Sequence, residues 1–188
     1  MRRMIKVLIV SAATVLVWTP VPAHADGFFS PWAGTQFGSN VNNGRGAVGI
    51  NVGGMGAGVI GGEIDFGFSP SFFGTKTDFG NNTMLDLMGN LIVGVPIGGQ
   101  HGPGVRPYAT GGVGLIHTQL DGGRVFHPTT TNNQWGADAG AGVMGYFNDH
   151  VGLRGDVRYF RTITGEPIDN LDFGSLHWWR ASAGLVIR

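Results

Sequence analysis

The sequence predicts an all-β protein, an eight-stranded antiparallel up-and-down β-barrel that crosses a membrane. Three observations predict it. Period-two alternation of apolar and polar residues recurs in eight segments separated by turn residues. Within those segments the charged residues collect on one face and none falls on the other. The chain also opens with an export signal and contains no later apolar run approaching the ~20 residues of a membrane helix.

The export signal comes first. Arg2, Arg3 and Lys6 form a positive start, Val7 to Val17 is a short apolar run, and Ala23-His24-Ala25 gives an A-x-A cleavage pattern. Residues 1–25 are therefore expected to leave as a signal peptide with Ala23 and Ala25 at its cleavage site, and residues 26–188 to form one domain. This domain carries nine Lys and Arg against twelve Asp and Glu, and Lys76 is its only lysine. Such a balance gives no electrostatic footprint for nucleic acid. No cysteine is present, so an exported chain must be held together without disulfides. The 35 glycines follow no Gly-X-Y period and apolar content is 42%, which excludes collagen and fits disorder poorly.

The segments follow in order. Pro31 to Gly38 sets Ala33, Thr35 and Phe37 against Gly34 and Gln36. Ala47 to Gly53 sets Val48, Ile50 and Val52 against Ala47, Gly49 and Asn51. Val59 to Phe68 opposes Ile60, Ile64, Phe66 and Phe68 to Glu63, Asp65 and Gly67, and Met84 to Ile97 opposes Leu85, Leu87, Leu91 and Val93 to Asp86, Met88 and Asn90. Val105 to His117 carries Val113 and Leu115 opposite Arg106, Tyr108 and Thr110. Gln134 to Phe147 carries Trp135, Ala137 and Val143 opposite Asp138, Gly140 and Gly142. Val151 to Phe160 alternates Val151, Leu153, Val157 and Tyr159 with Arg154, Asp156 and Arg158. His177 to Arg188 alternates Trp179, Ala181, Leu185 and Ile187 with Arg180, Ser182 and Arg188. Pro96 and Pro107 each remove a ladder donor, and their places near segment ends leave a frayed strand or bulge to absorb them.

Two arrangements put charge on one face of a strand. In a soluble sheet or a lipocalin-like barrel the charges meet water outside; in a membrane barrel the apolar face meets lipid and the charges turn inward. A charge facing lipid at the midplane costs ~2–4 kcal/mol, which explains a face wholly free of them. The connections agree with a barrel: those near 53–58, 98–104 and 148–150 are short, and those at 69–83, 118–133 and 162–176 are long. Short periplasmic turns and long outer loops are the outer-membrane pattern.

The opening SPWAGTQFG, the strand GLRGDVRYF and the final WWRASAGLVIR together resemble the small outer-membrane β-barrel family of OmpA/OmpX type. The resemblance implies localisation in the cell outer membrane, outer-membrane lipid and lipopolysaccharide as surroundings, and delivery by the outer-membrane assembly machinery. The chain departs from it by ending on Ile187-Arg188, where such barrels commonly finish on an aromatic residue.

Candidate sites follow from parity. Glu63, Asp65, Asp86, Arg106, Asp138, Arg154, Asp156, Arg158 and Arg180 are expected to form a lumenal charge network, five acids balanced by five arginines when Arg188 is included. An eight-stranded barrel is just wide enough for side chains to fill, so the network would plug it, with Gly112, Gly140 and Gly142 leaving room for arginines. The competing reading is a charged constriction in a narrow passive channel. Phe68, Trp135, Phe147, Tyr159 and Trp179 are expected in aromatic girdles, together with Trp178 and Trp32, while Phe72, Phe73 and Phe79 are expected at the loops as possible surface contacts. The mature histidines show neither H-x-H nor H-E-x-x-H spacing, so no metal and no cofactor is expected. His117 has outward parity near the rim, a position that would suit an outer-membrane lipid-modifying enzyme, but no Ser-His-acid set assembles around it. The sequence thus predicts a monomeric, non-enzymatic barrel whose role is structural, in envelope integrity or in adhesion-like surface contact, with an extracellular or host partner that it does not name.

Overall fold

A computed structural model describes residues 25–38, 41–72, 82–98, 102–120, 130–163 and 176–188. The described part of the chain is β1 (Ala25–Gly38), β2 (Val41–Gly56), β3 (Ile60–Pro70), β4 (Asn82–Gly94), β5 (Gly104–Leu120), β6 (Thr130–Tyr146), β7 (Val151–Thr162) and β8 (His177–Ile187). Each strand pairs antiparallel with the next, and β8 pairs with β1 to close the barrel. Ala23 and the rest of the expected signal peptide before Ala25 lie outside the described residues, as do Phe73 and Phe79.

Exposure alternates with every residue along the strands, as in β7, where Val151, Leu153 and Val157 face out and Arg154, Asp156 and Arg158 face in. The sorting is the reverse of a water-soluble protein's. Ile64 and Leu91 are each 57% exposed, while Arg158 is 0% exposed and Arg180 1%. Only a nonpolar solvent makes such an exterior favourable, and closure leaves no strand edge unpaired in it.

The ladders run further than the apolar alternation. β2 spans 16 residues and β5 and β6 span 17 each. Beyond Leu115 and Trp135 the β5–β6 ladder continues through Thr118↔Asn132 and Gln119↔Thr131, so a stretch expected to be loop is hairpin. There the outward residues are polar, because that part of the hairpin has no lipid to satisfy, and the sequence pattern fades although the hydrogen bonding persists.

The short connections are tight. Val59 N donates to Gly56 O at 3.0 Å, and Ala57 and Gly58 both adopt positive φ, 51° and 69°, as a two-residue primed hairpin turn requires. At the β6–β7 turn the Asn148 side chain accepts from His150 N and Val151 N, both at 2.8 Å. Pro96 falls just past the end of β4, followed by an isolated Ile97↔Val105 bridge. Pro107 remains inside β5, where its carbonyl accepts from Val95 N at 2.9 Å.

Candidate functional site: a layered, filled lumen

The inward side chains form three layers. At the long-loop end Val41, Phe72, Met84, Met88, Ile116, Phe160, Leu176 and Trp178 make an apolar cluster. Trp178 stacks on Phe160 at 5.1 Å with planes 3° apart, and Phe72 meets it edge-on at 5.3 Å. At the short-turn end Phe28, Met55, Ile92, Tyr108, Met144, Tyr146 and Val186 make a second cluster. Between the two lies a layer of ions.

That layer is built by residues two apart on two strands, since a period-two strand puts alternate side chains on one face, and by single residues of three more. Asp65 and Glu63 come from β3, Arg154, Asp156 and Arg158 from β7, and Arg180, Asp86 and Asp138 from β8, β4 and β6. Arg154 holds Glu63 with two bonds, Nη1 to Oε2 at 2.7 Å and Nη2 to Oε1 at 3.2 Å. Arg158 donates to Glu63 at 2.5 Å and pairs with Asp65 and Asp156 at 3.3 Å and with Asp138 at 3.5 Å. Arg180 donates to Asp65 and to Asp86, the latter at 3.0 Å. These groups are essentially removed from solvent, so each charge depends on its partners to offset its lost hydration.

Neutral groups finish the layer. Tyr108 donates its hydroxyl hydrogen to Asp156 at 2.7 Å and accepts from Arg154 Nε at 2.7 Å. Trp32 Nε1 donates to Asp65 at 3.3 Å, and its ring lies 4.2 Å under the Arg180 guanidinium. Ser182 donates to Asp156 at 2.9 Å. Turned to satisfy both ends, the Asn90 amide donates to Asp138 at 2.6 Å and accepts from Arg158 at 2.8 Å.

All nine of the inward charges expected from parity are buried, but the structure brings together only eight. Arg106 is inside the barrel yet lies in the short-turn layer, against Met55 Sδ at 3.9 Å and 5.5 Å from the Tyr146 ring centroid. Among the described residues it forms no ion pair. Arg188 also stands apart, over the other aromatic contact of Tyr146 at 3.8 Å and 3.8 Å from Asp26. The expected balance of five acids and five arginines therefore gives way to five carboxylates against three guanidinium groups in the layer itself. Gly140 leaves room for Arg158, whereas a Cβ at Gly142 would meet the Tyr108 hydroxyl and one at Gly112 the Asn90 side chain.

Three aromatic placements are corrected. Phe72 is wholly buried in the long-loop cluster, so it offers no surface contact. Ser71 just before it has φ 58°, which turns the chain inward and ends the parity count of β3. Trp178 and Trp32 are inside, not in the girdles. Both signals were in the sequence, since Trp178 shares the parity of Arg180 and Trp32 that of Gln36, and neighbours on a strand cannot face the same way. Phe68, Tyr159, Trp135, Trp179 and Phe147 are on the outside, the last three well exposed. His117 faces out as its parity indicated and lies 2.6 Å from the Asn133 side chain. Tyr108, Asn90 and Ser182 complete the ionic layer without having been singled out, and Trp32, expected in a girdle, joins them; their inward parity was the available signal.

The family described as outer membrane protein beta-barrel domain matches residues 11–179. Among solved structures, the chain is similar to Neisserial surface protein A, with TM-score 0.64 and 16% identity over 87% of this chain and 97% of that one. It is also similar to the N-terminal β-barrel domain of Pseudomonas aeruginosa OprF, with TM-score 0.52 and 13% identity over 87% and 98%. The Yersinia pestis attachment invasion locus protein Ail, solved with the heparin analogue sucrose octasulfate, gives TM-score 0.51 and 12% identity over 87% and 99%. These identities show a shared fold. A comparison with curated proteins gave no match.

Proposed function

Since the chain belongs to the outer-membrane β-barrel domain family and is a protein of the outer membrane, we propose that it is a closed, monomeric, non-enzymatic barrel serving envelope integrity and surface contact. One observation carries this reading: the described inward side chains stack as an ionic layer with an apolar cluster at each end. A continuous ion path would need water beside those charges, and the guanidinium groups instead spend their donors on carboxylates and aromatic rings. With the inside occupied, recognition falls to the loops and the outer rim. The likeness to Ail, the attachment invasion locus protein that was solved with a sulfated ligand, supports a surface-contact role over a transport role.

The test is conductance. Folded protein inserted in planar bilayers is expected to leave the membrane at its baseline current. Frequent, stable openings of uniform size would overturn the closed barrel and favour a narrow channel.

A further inference from the structure

The outward face of the barrel has one exception to its chemistry, and it lies at the long-loop end of β7 and β8. Across the outward positions of all eight described strands, Arg161 is the single Asp, Glu, Lys or Arg. Its side chain is exposed and makes no ion pair or hydrogen bond with the described residues. Directly across the ladder from it is His177. One step down on the same face, Tyr159 is paired with Trp179, ring centroids 5.1 Å apart, and Tyr159 also lies 6.2 Å from the His177 ring. Trp179 is 43% exposed, and Ile163, 61% exposed, stands above Arg161.

Generic anchoring at a membrane interface would scatter cations and aromatics around the whole circumference. Here cation, imidazole and two aromatic rings converge on one strand pair. A guanidinium at this height, with no carboxylate among the described residues to answer it, is complementary to a phosphate, which it binds bidentately. The Tyr159–Trp179 pair beneath it, Tyr159 half-buried and Trp179 exposed, offers flat apolar faces of the kind that pack against a sugar ring, and the apolar wall below accepts acyl chains. The long connections place this end toward the outer leaflet.

We infer that Arg161, Tyr159 and Trp179, beside His177, form a docking site for a phosphorylated glycolipid of the outer leaflet, with the phosphate on Arg161 and the sugar over the aromatic pair. The occupant is a lipid of lipid A type, in which phosphate and sugar are adjacent. An ordinary glycerophospholipid would answer the cation but leave the rings unused. The site does not depend on whether the lumen conducts.

Native mass spectrometry of the mature chain folded in detergent tests it, with bisphosphorylated lipid A as the probe. One lipid A is expected to remain bound, and Arg161→Gln is expected to weaken retention about tenfold while Arg161→Lys, which keeps the charge without the bidentate geometry, restores only part of it. Trp179→Leu should weaken lipid A without changing retention of phosphatidylglycerol. Heat-dependent gel mobility verifies that each variant is folded, which an exposed position should allow. Equal retention by Arg161→Gln and the parent, equal retention of dephosphorylated lipid A, or a preference for phosphatidylglycerol would each overturn the inference.

Discussion

The mid-lumen and the lumen ends are built by the same eight strands in the same register, yet they hold together differently. In the middle, three arginines and five carboxylates contact one another, and Arg154 and Arg180 also lie over aromatic rings. At the ends, Trp178, Phe160 and Phe72 on one side and Met55, Met144 and Tyr146 on the other pack as an ordinary core. The difference teaches that inward parity specifies a direction and leaves the chemistry open. An interior residue can be satisfied by a partner of opposite charge or by close packing, and this barrel uses each where the other would fail. The two apolar clusters stand between the ions and the two ends of the barrel.

The largest effect should come from breaking the middle. Arg158→Ala leaves Glu63, Asp65, Asp138 and Asp156 without a shared cation and is expected to cost about 3–5 kcal/mol. Reversible urea unfolding in lipid vesicles, read by tryptophan fluorescence, measures it, and a loss below ~1 kcal/mol would mean the layer is not a network. Breaking a cap should come next. Trp178→Ala removes the ring stacked on Phe160 and is expected to cost about 3 kcal/mol in the same assay, with the ionic layer left in place. If it also raised bilayer conductance, the cap would be shown to keep water from the ions.

The smallest effect sharpens the boundary between the two regions. Arg106 is buried in an apolar layer, outside the ionic network, so Arg106→Met exchanges a desolvated cation for an apolar side chain of similar length. Its stability is expected to stay within ~1 kcal/mol of the parent or to rise. A loss as large as that of Arg158→Ala would assign Arg106 to the network after all.

How much of this was legible in the sequence follows from the same contrast. The strands and their facing were legible because lipid imposes a strict rule on every second residue, and Leu87, Leu91 and Val93 obey it without exception. The boundaries near Thr118 and Asn132 were not, since a hairpin clear of lipid keeps its ladder without an apolar face. The buried charges were visible as a set, but their pairing was not. Whether Arg106 or Arg180 reaches Asp65 depends on height in the barrel, which is fixed by the stagger of β5 and of β8 against β3. Trp178 was legible and misplaced: aromatic character suggested the girdle, and parity, the stronger constraint, pointed inside.

The span of the ionic contacts in sequence has a consequence for how the chain assembles. Each hairpin joins neighbouring segments and closes only a short loop, so its formation requires little of the rest. Arg180 reaches Asp65 across 115 residues, and Arg154 and Arg158 reach Glu63 across 91 and 95. Those contacts cross the lumen and form only as the sheet curls shut, so a half-formed sheet lacks them and keeps only local pairs such as Arg158 with Asp156 and Asp138. Closure is thus the event that the middle of the barrel rewards, and partial structures in the bilayer are penalised until it occurs.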